Sequence, residues 1–218
     1  SRRRHTRFKC DWSSDVCSSD LLFDALLQEL IDENPFAIRA ALRILKVEFT
    51  EDVPTLAVTC EAQPRMLVNL SFLNFHARTE THVKAVIIHE FLHVLLRHTE
   101  GRQPLTPARH IAFDAVINAI IHRQYGADYS SMMAEYYSSS NGLQKLLRPM
   151  NKVERDWLIK NKSSAPTWAL AWDALYDGRL IADDIENLAE TLASFQFRKQ
   201  SGKDIGPFSL DAGSLDIS

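Results

Sequence analysis

The run Val83-Lys-Ala-Val-Ile-Ile-His-Glu-Phe-Leu-His-Val-Leu-Leu96 decides how the rest of the chain is read. Most of its residues are of the buried type, and no proline or glycine falls between Thr79 and Glu100. One helix of about five to six turns is therefore expected there. On such a helix His89 and His93 project from one face, one turn apart. Two imidazoles so placed can share a Zn²⁺, and Glu90 beside them can polarise a water. The pattern points to a zinc-dependent hydrolase.

Composition narrows the alternatives. A chain of 218 residues fits one domain. Its 45% hydrophobic and 24% charged content is that of an ordinary globular protein. A net charge of -3 makes no case for a nucleic-acid or membrane-surface partner. The apolar run around Val83–Leu96 is interrupted by Lys, His and Glu, so it falls short of the about eighteen residues that cross a bilayer. The basic N-terminus lacks the apolar core of a secretory signal, and a cytoplasmic setting is expected.

The first twenty residues stand apart. Cys10-Asp-Trp-Ser-Ser-Asp-Val-Cys-Ser-Ser-Asp-Leu21 resembles the in-frame translation of a short-read sequencing adapter. The rival reading is a zinc knuckle or disulfide loop built on Cys10 and Cys17. Residues 1–20 are accordingly left out of the fold, and the native start is expected to be missing. Without them only Cys60 remains, which is too few for a disulfide framework or a cysteine-rich metal site.

Leu21–Ile31 carries an amphipathic helical pattern, as does Phe36–Leu45 after the Asn34-Pro35 break. Val47–Phe49, Thr55–Cys60 and Met66–Leu70 are short β-type runs separated by Pro54 and Pro64. Thr79 or Thr81 can cap the central helix, and Gly101 can end it. A second long helix is expected over Ala108–Tyr125, closed by Gly126. Helical pieces follow at 131–137, 142–147, 153–159, 167–176 and 181–195, and residues 199–218 read as a poorly ordered tail. Helices, a small sheet, then helices make an α+β domain over residues 21–198.

A catalytic zinc normally takes three protein ligands. His98 lies five residues past His93 and nine past His89, about 140° and 180° around a straight helix. It would then point away from the metal, and no glycine lies between His93 and His98 to turn the chain back. His110, Asp114 and Asn118 form one polar line on the otherwise apolar second helix. A buried carboxylate there needs a partner, and a metal is one. Either Asp114 is the ligand, or His110 is and Asp114 orients an imidazole.

His89-Glu-Phe-Leu-His-Val-Leu-Leu-Arg-His98, followed by Ile-Ala-Phe-Asp114-Ala-Val-Ile-Asn118, resembles the metallopeptidase domain found ahead of von Willebrand A-like domains and associated with MoxR-type ATPases. The likeness covers roughly Met66 to Ile121. It implies a zincin-like fold, in which a small mixed sheet packs on the motif helix and on a second, ligand-bearing helix. It also implies Zn²⁺ as cofactor and a peptide or protein as substrate, and it favours Asp114 as the third ligand. Asn118 falls on the family's Asn, whereas His110 stands where the family usually has Asn. A MoxR-type ATPase or a von Willebrand A-like protein is the implied partner.

Met66–Phe72 alternates like an edge strand, so Leu67, Val68, Asn69 and Leu70 could hold an extended substrate. Tyr125, Tyr129, Tyr136 and Tyr137 are candidate oxyanion donors, and Trp168 and Trp172 read as core. The competing class is a catalytically silent zinc-fold module that regulates a partner.

Overall fold

The structure, a computed structural model, describes residues 16–33, 46–59, 62–98, 106–187 and 189–190. The helix expected over Phe36–Leu45 and the tail over 199–218 lie outside them. The described chain is α+β, with the small sheet early and helices on either side of it in sequence.

Helix α1 (Val16–Glu33) buries Phe23, Leu26 and Leu30, which lie three and four residues apart along one face. It begins inside the adapter-like segment, and Ser19 is already buried. Three strands follow: β1 (Lys46–Phe49), β2 (Leu56–Val58) and β3 (Arg65–Val68). Their order is β1-β3-β2, with β1 parallel and β2 antiparallel to β3. Val68 pairs with Phe49 on one side and Leu56 on the other.

This order corrects the edge-strand expectation. Leu67 and Val68 sit in the central strand, with neighbours on both sides. The Asn69 side chain accepts from Phe72 N–H, capping helix α2 (Leu70–His76), and donates to the Val53 carbonyl at 2.7 Å. Leu70 is the first residue of that helix. Apolar alternation reports which face of a strand is buried, and it carries no information about whether its edges are paired. Among the described residues the free edge beside the site belongs to β2.

Helix α3 (Glu80–Leu95) carries the motif, and Thr79 caps it by accepting from His82 N–H at 3.1 Å. Val83, Ile87 and Phe91 are buried in the core that α3 shares with α1, the sheet and α2. Lys84, buried on the same helix, pairs with Glu29 of α1 at 3.0 Å. The helix stops at Leu95, short of the expected Gly101. Helix α4 (Pro107–Tyr125) is capped by Thr106, with Pro107 opening its first turn. It lies between two cores: Ile117 and Ile121 enter the first, while Ala112, Ala115 and Ala119 enter a second. That second core is built with a 3₁₀ turn (Gly142–Leu147), helix α7 (Thr167–Tyr176) and Ile185. Helix α5 (Ala127–Tyr136) follows Gly126, and α6 (Lys152–Lys160) is opened by an Asn151–Glu154 capping box. The Trp172 indole N–H donates to the Arg148 carbonyl at 2.6 Å, and Trp172 is buried, as core was expected to be.

Candidate metal centre

The crossing of α3 and α4 brings together side chains that are far apart in sequence. His89 and His93 face Asp114, and these three form the one group among the described residues able to hold a metal ion. His89 Nε2 lies 3.1 Å from His93 Nε2. Asp114 Oδ1 lies 3.2 Å from His93 Nε2 and 3.6 Å from His89 Nε2. A tetrahedral zinc with nitrogen and oxygen ligands at about 2.0–2.1 Å spaces its ligand atoms about 3.3–3.4 Å apart. The observed triangle has that size, so the donor set fits the ion in chemistry and spacing.

The imidazoles are oriented from behind. Asn118 Nδ2 donates to the Leu147 carbonyl at 2.9 Å, which turns its Oδ1 toward His89 Nδ1, 2.8 Å away. An amide oxygen can only accept, so His89 carries a proton on Nδ1, which leaves Nε2 as the nitrogen that would bind an ion on losing its own proton. His93 Nδ1 lies 3.1 Å from His98 Nδ1. Burial and the neighbouring His93 charge hold His98 down to about 4, so it stays neutral and can accept from His93 Nδ1–H. His98 also stacks on Phe113 with centroids 3.7 Å apart.

The position of His98 corrects the expectation that it points away. Helix α3 ends at Leu95, and Arg97 takes a positive φ of 60°, folding His98 back beside His93 without a glycine. A left-handed conformation costs a non-glycine residue about 1–2 kcal/mol. His110 lines the same cavity but stays outside the ligand group.

The charges agree with a site that gathers positive charge. Burial alone would raise the Asp114 carboxyl, but hydrogen bonds and charge from His89 and His93 outweigh it and hold the carboxyl well below the usual range. Burial likewise opposes protonation of His89, yet Asp114 and Glu90 raise it to about 9. Glu90 is buried and lines the cavity; burial raises its carboxyl, opposed by His93 and His89. Tyr136 and Tyr137 also line the cavity, and burial keeps both phenols protonated. Tyr125 and Tyr129 contact each other with tilted rings at 5.2 Å and pack against the first core, and neither lines the cavity.

No family model, no curated protein and no solved structure matches the chain. The site therefore has to be read from its own geometry. Two of its parts were not assigned to the site from the sequence. One is the β2 edge at Thr55–Val58, and the other is the apolar wall contributed by α2 and α5. The edge position of a strand and a wall of side chains drawn from separate helices are set only in three dimensions.

Proposed function

We propose that this chain is a zinc-dependent metallohydrolase acting on peptide bonds. The reading rests on one observation, the triangle of His89 Nε2, His93 Nε2 and Asp114 Oδ1 with edges of 3.1, 3.2 and 3.6 Å. His89, His93 and Asp114 would hold the ion. Zinc held there supplies Lewis acidity, polarising a carbonyl and lowering the pKa of water toward neutrality.

The chain's own groups cover the remaining steps. Glu90, a buried carboxylate facing the cavity, accepts a proton from the attacking water and delivers it to the leaving amine. Asn118 and His98 fix the two imidazole rings so that their Nε2 atoms converge. Tyr136 or Tyr137 can donate a hydrogen bond to the carbonyl oxygen as negative charge develops on it. The zincin-like fold and the ATPase-linked partners belong to the same proposal and rest on the motif resemblance.

Zinc content measured on dialysed protein tests the ligand set. Wild type is expected to keep about one equivalent, and Asp114→Ala to lose it, whereas His110→Ala keeps it. If Asp114→Ala retains full zinc while His110→Ala does not, the ligand assignment fails. Glu90→Gln is expected to keep zinc and lose peptide cleavage by about 10²–10⁴-fold. Unchanged biological activity in that variant would favour the silent regulatory module.

A further inference from the structure

The cavity lined in part by the ligand triad has a volume of about 180 Å³ in all. A cavity of roughly 150 Å³ lined by apolar side chains is enough to bind benzene. The wall away from the triad is made by Phe72 of α2, Val86 of α3, and Met132, Met133 and Tyr136 of α5. Among the described lining residues there is no lysine or arginine, and the charged groups, Glu90, Asp114 and the raised His89, lie at the triad. The wall continues outward as a run of ring contacts. Phe72 meets Tyr136 edge-on at 5.5 Å, His76 sits 4.8 Å from Phe72 and 5.0 Å from Tyr136, and Phe75 packs on His76 at 4.8 Å. Phe75 itself is 82% exposed.

We infer that the Phe72–Met133–Tyr136 wall is the specificity subsite of this enzyme, receiving an uncharged aliphatic or aromatic side chain next to the cleaved bond. The inference rests on the peptidase reading and adds the substrate class to it. Three observations carry it. The wall adjoins the ligand triad within one cavity, two thioethers and two aromatic faces offer an apolar side chain dispersion contacts, and no lysine or arginine lies in the wall. A charged side chain entering this wall would lose its hydration with no opposite charge in the wall to pair with. Phe75 extends the apolar surface past the mouth, where a neighbouring apolar residue of the substrate can lie against it.

A degenerate peptide mixture incubated with the zinc-loaded full chain, with cleavage positions mapped by mass spectrometry, tests the subsite. Leu, Met, Phe and Ile are expected beside the cut at least about tenfold more often than Asp, Glu, Lys or Arg, the range that pocket contacts can supply. An even distribution, or enrichment of charged residues, overturns the inference while leaving the hydrolase reading standing. The same peptides are titrated against the Glu90→Gln variant by fluorescence anisotropy. Tighter binding of the apolar set by about tenfold supports the subsite, and equal binding overturns it. Selective binding by that variant, together with no cleavage by wild type, would remove the catalytic reading and keep the subsite. Phe72→Ala, with zinc content and circular dichroism unchanged, is expected to lose the apolar preference about tenfold. Full retention of the preference would overturn the role of Phe72.

Discussion

Asn118 shows how much of the site depends on groups that would never touch an ion. Its amide spans the Leu147 carbonyl and the His89 ring, and it is 1% exposed. Truncating it leaves His89 free to rotate and the Leu147 carbonyl without its donor. Asn118→Ala is expected to weaken zinc binding about 10–100-fold and to cost about 1–3 kcal/mol of stability. Chelator competition and urea unfolding measure the two effects separately. His98→Ala should act mainly on the first quantity, because His98 supports the His93 ring and is partly exposed, so that little beyond its stacking on Phe113 is lost to stability. A fall in affinity of about tenfold is expected there, against outright loss for a true ligand.

At the scale of elements, helix ends place the site. Thr79 caps α3, and Thr79→Ala is expected to cost about 1 kcal/mol in urea unfolding. Gly126 joins α4 to α5 at φ 88°, ψ -173°, a region open essentially to glycine alone. An added Cβ there would meet nothing within 4 Å, so Gly126→Ala isolates the torsional cost, expected at about 1–3 kcal/mol. The start of α6 supplies a pH-dependent lock. Glu154 is raised by burial, but hydrogen bonds from Arg148, the Asn151 backbone and Lys145 outweigh this and bring it down to about 2 from its usual 4.5. A depressed carboxyl stabilises the fold above its unfolded value and loses that contribution as pH falls. Glu154→Gln should therefore flatten the acid limb of a stability–pH curve between about pH 4.5 and 2. An acid limb identical to wild type would show that the Arg148–Glu154 pair contributes nothing.

At the scale of the whole molecule, the triad ties α3 to α4, and α4 ties the two cores together. An ion held across that crossing would couple both halves to its own binding. With free zinc about a thousandfold above its Kd, linkage adds about 4 kcal/mol. For a chain of this size that corresponds to a rise in Tm of about 8–16 °C. Differential scanning calorimetry with and without chelator should show the shift in wild type and its absence in Asp114→Ala. A wild-type Tm indifferent to zinc would argue against an ion at the crossing. No helix among the described residues is long and apolar enough to cross a membrane.

The local chemistry of the chain was sufficient to place His89 and His93 on one helical face, to set the polar line of His110, Asp114 and Asn118 on the next helix, to narrow the cap of the first to Thr79 or Thr81, and to mark Gly126 as the end of the second. These are short-range properties, governed by the 3.6-residue repeat and by the hydrogen bonds available at helix termini. Which member of the polar line meets the imidazoles was open from spacing alone, since all three project from similar faces of α4. The crossing of α3 and α4 decided it in favour of Asp114, leaving Asn118 behind His89 and His110 at the cavity wall. Tertiary structure also decided the two readings that failed. Strand order depends on partners distant in sequence, and that moved the free edge from Leu67 and Val68 to β2. The left-handed turn at Arg97 returned His98 to the site, because surrounding contacts can hold a residue in a conformation its own side chain disfavours. Pairing of the two motif histidines was written in four consecutive bonds of one helix, and completion of their site required two helices to cross.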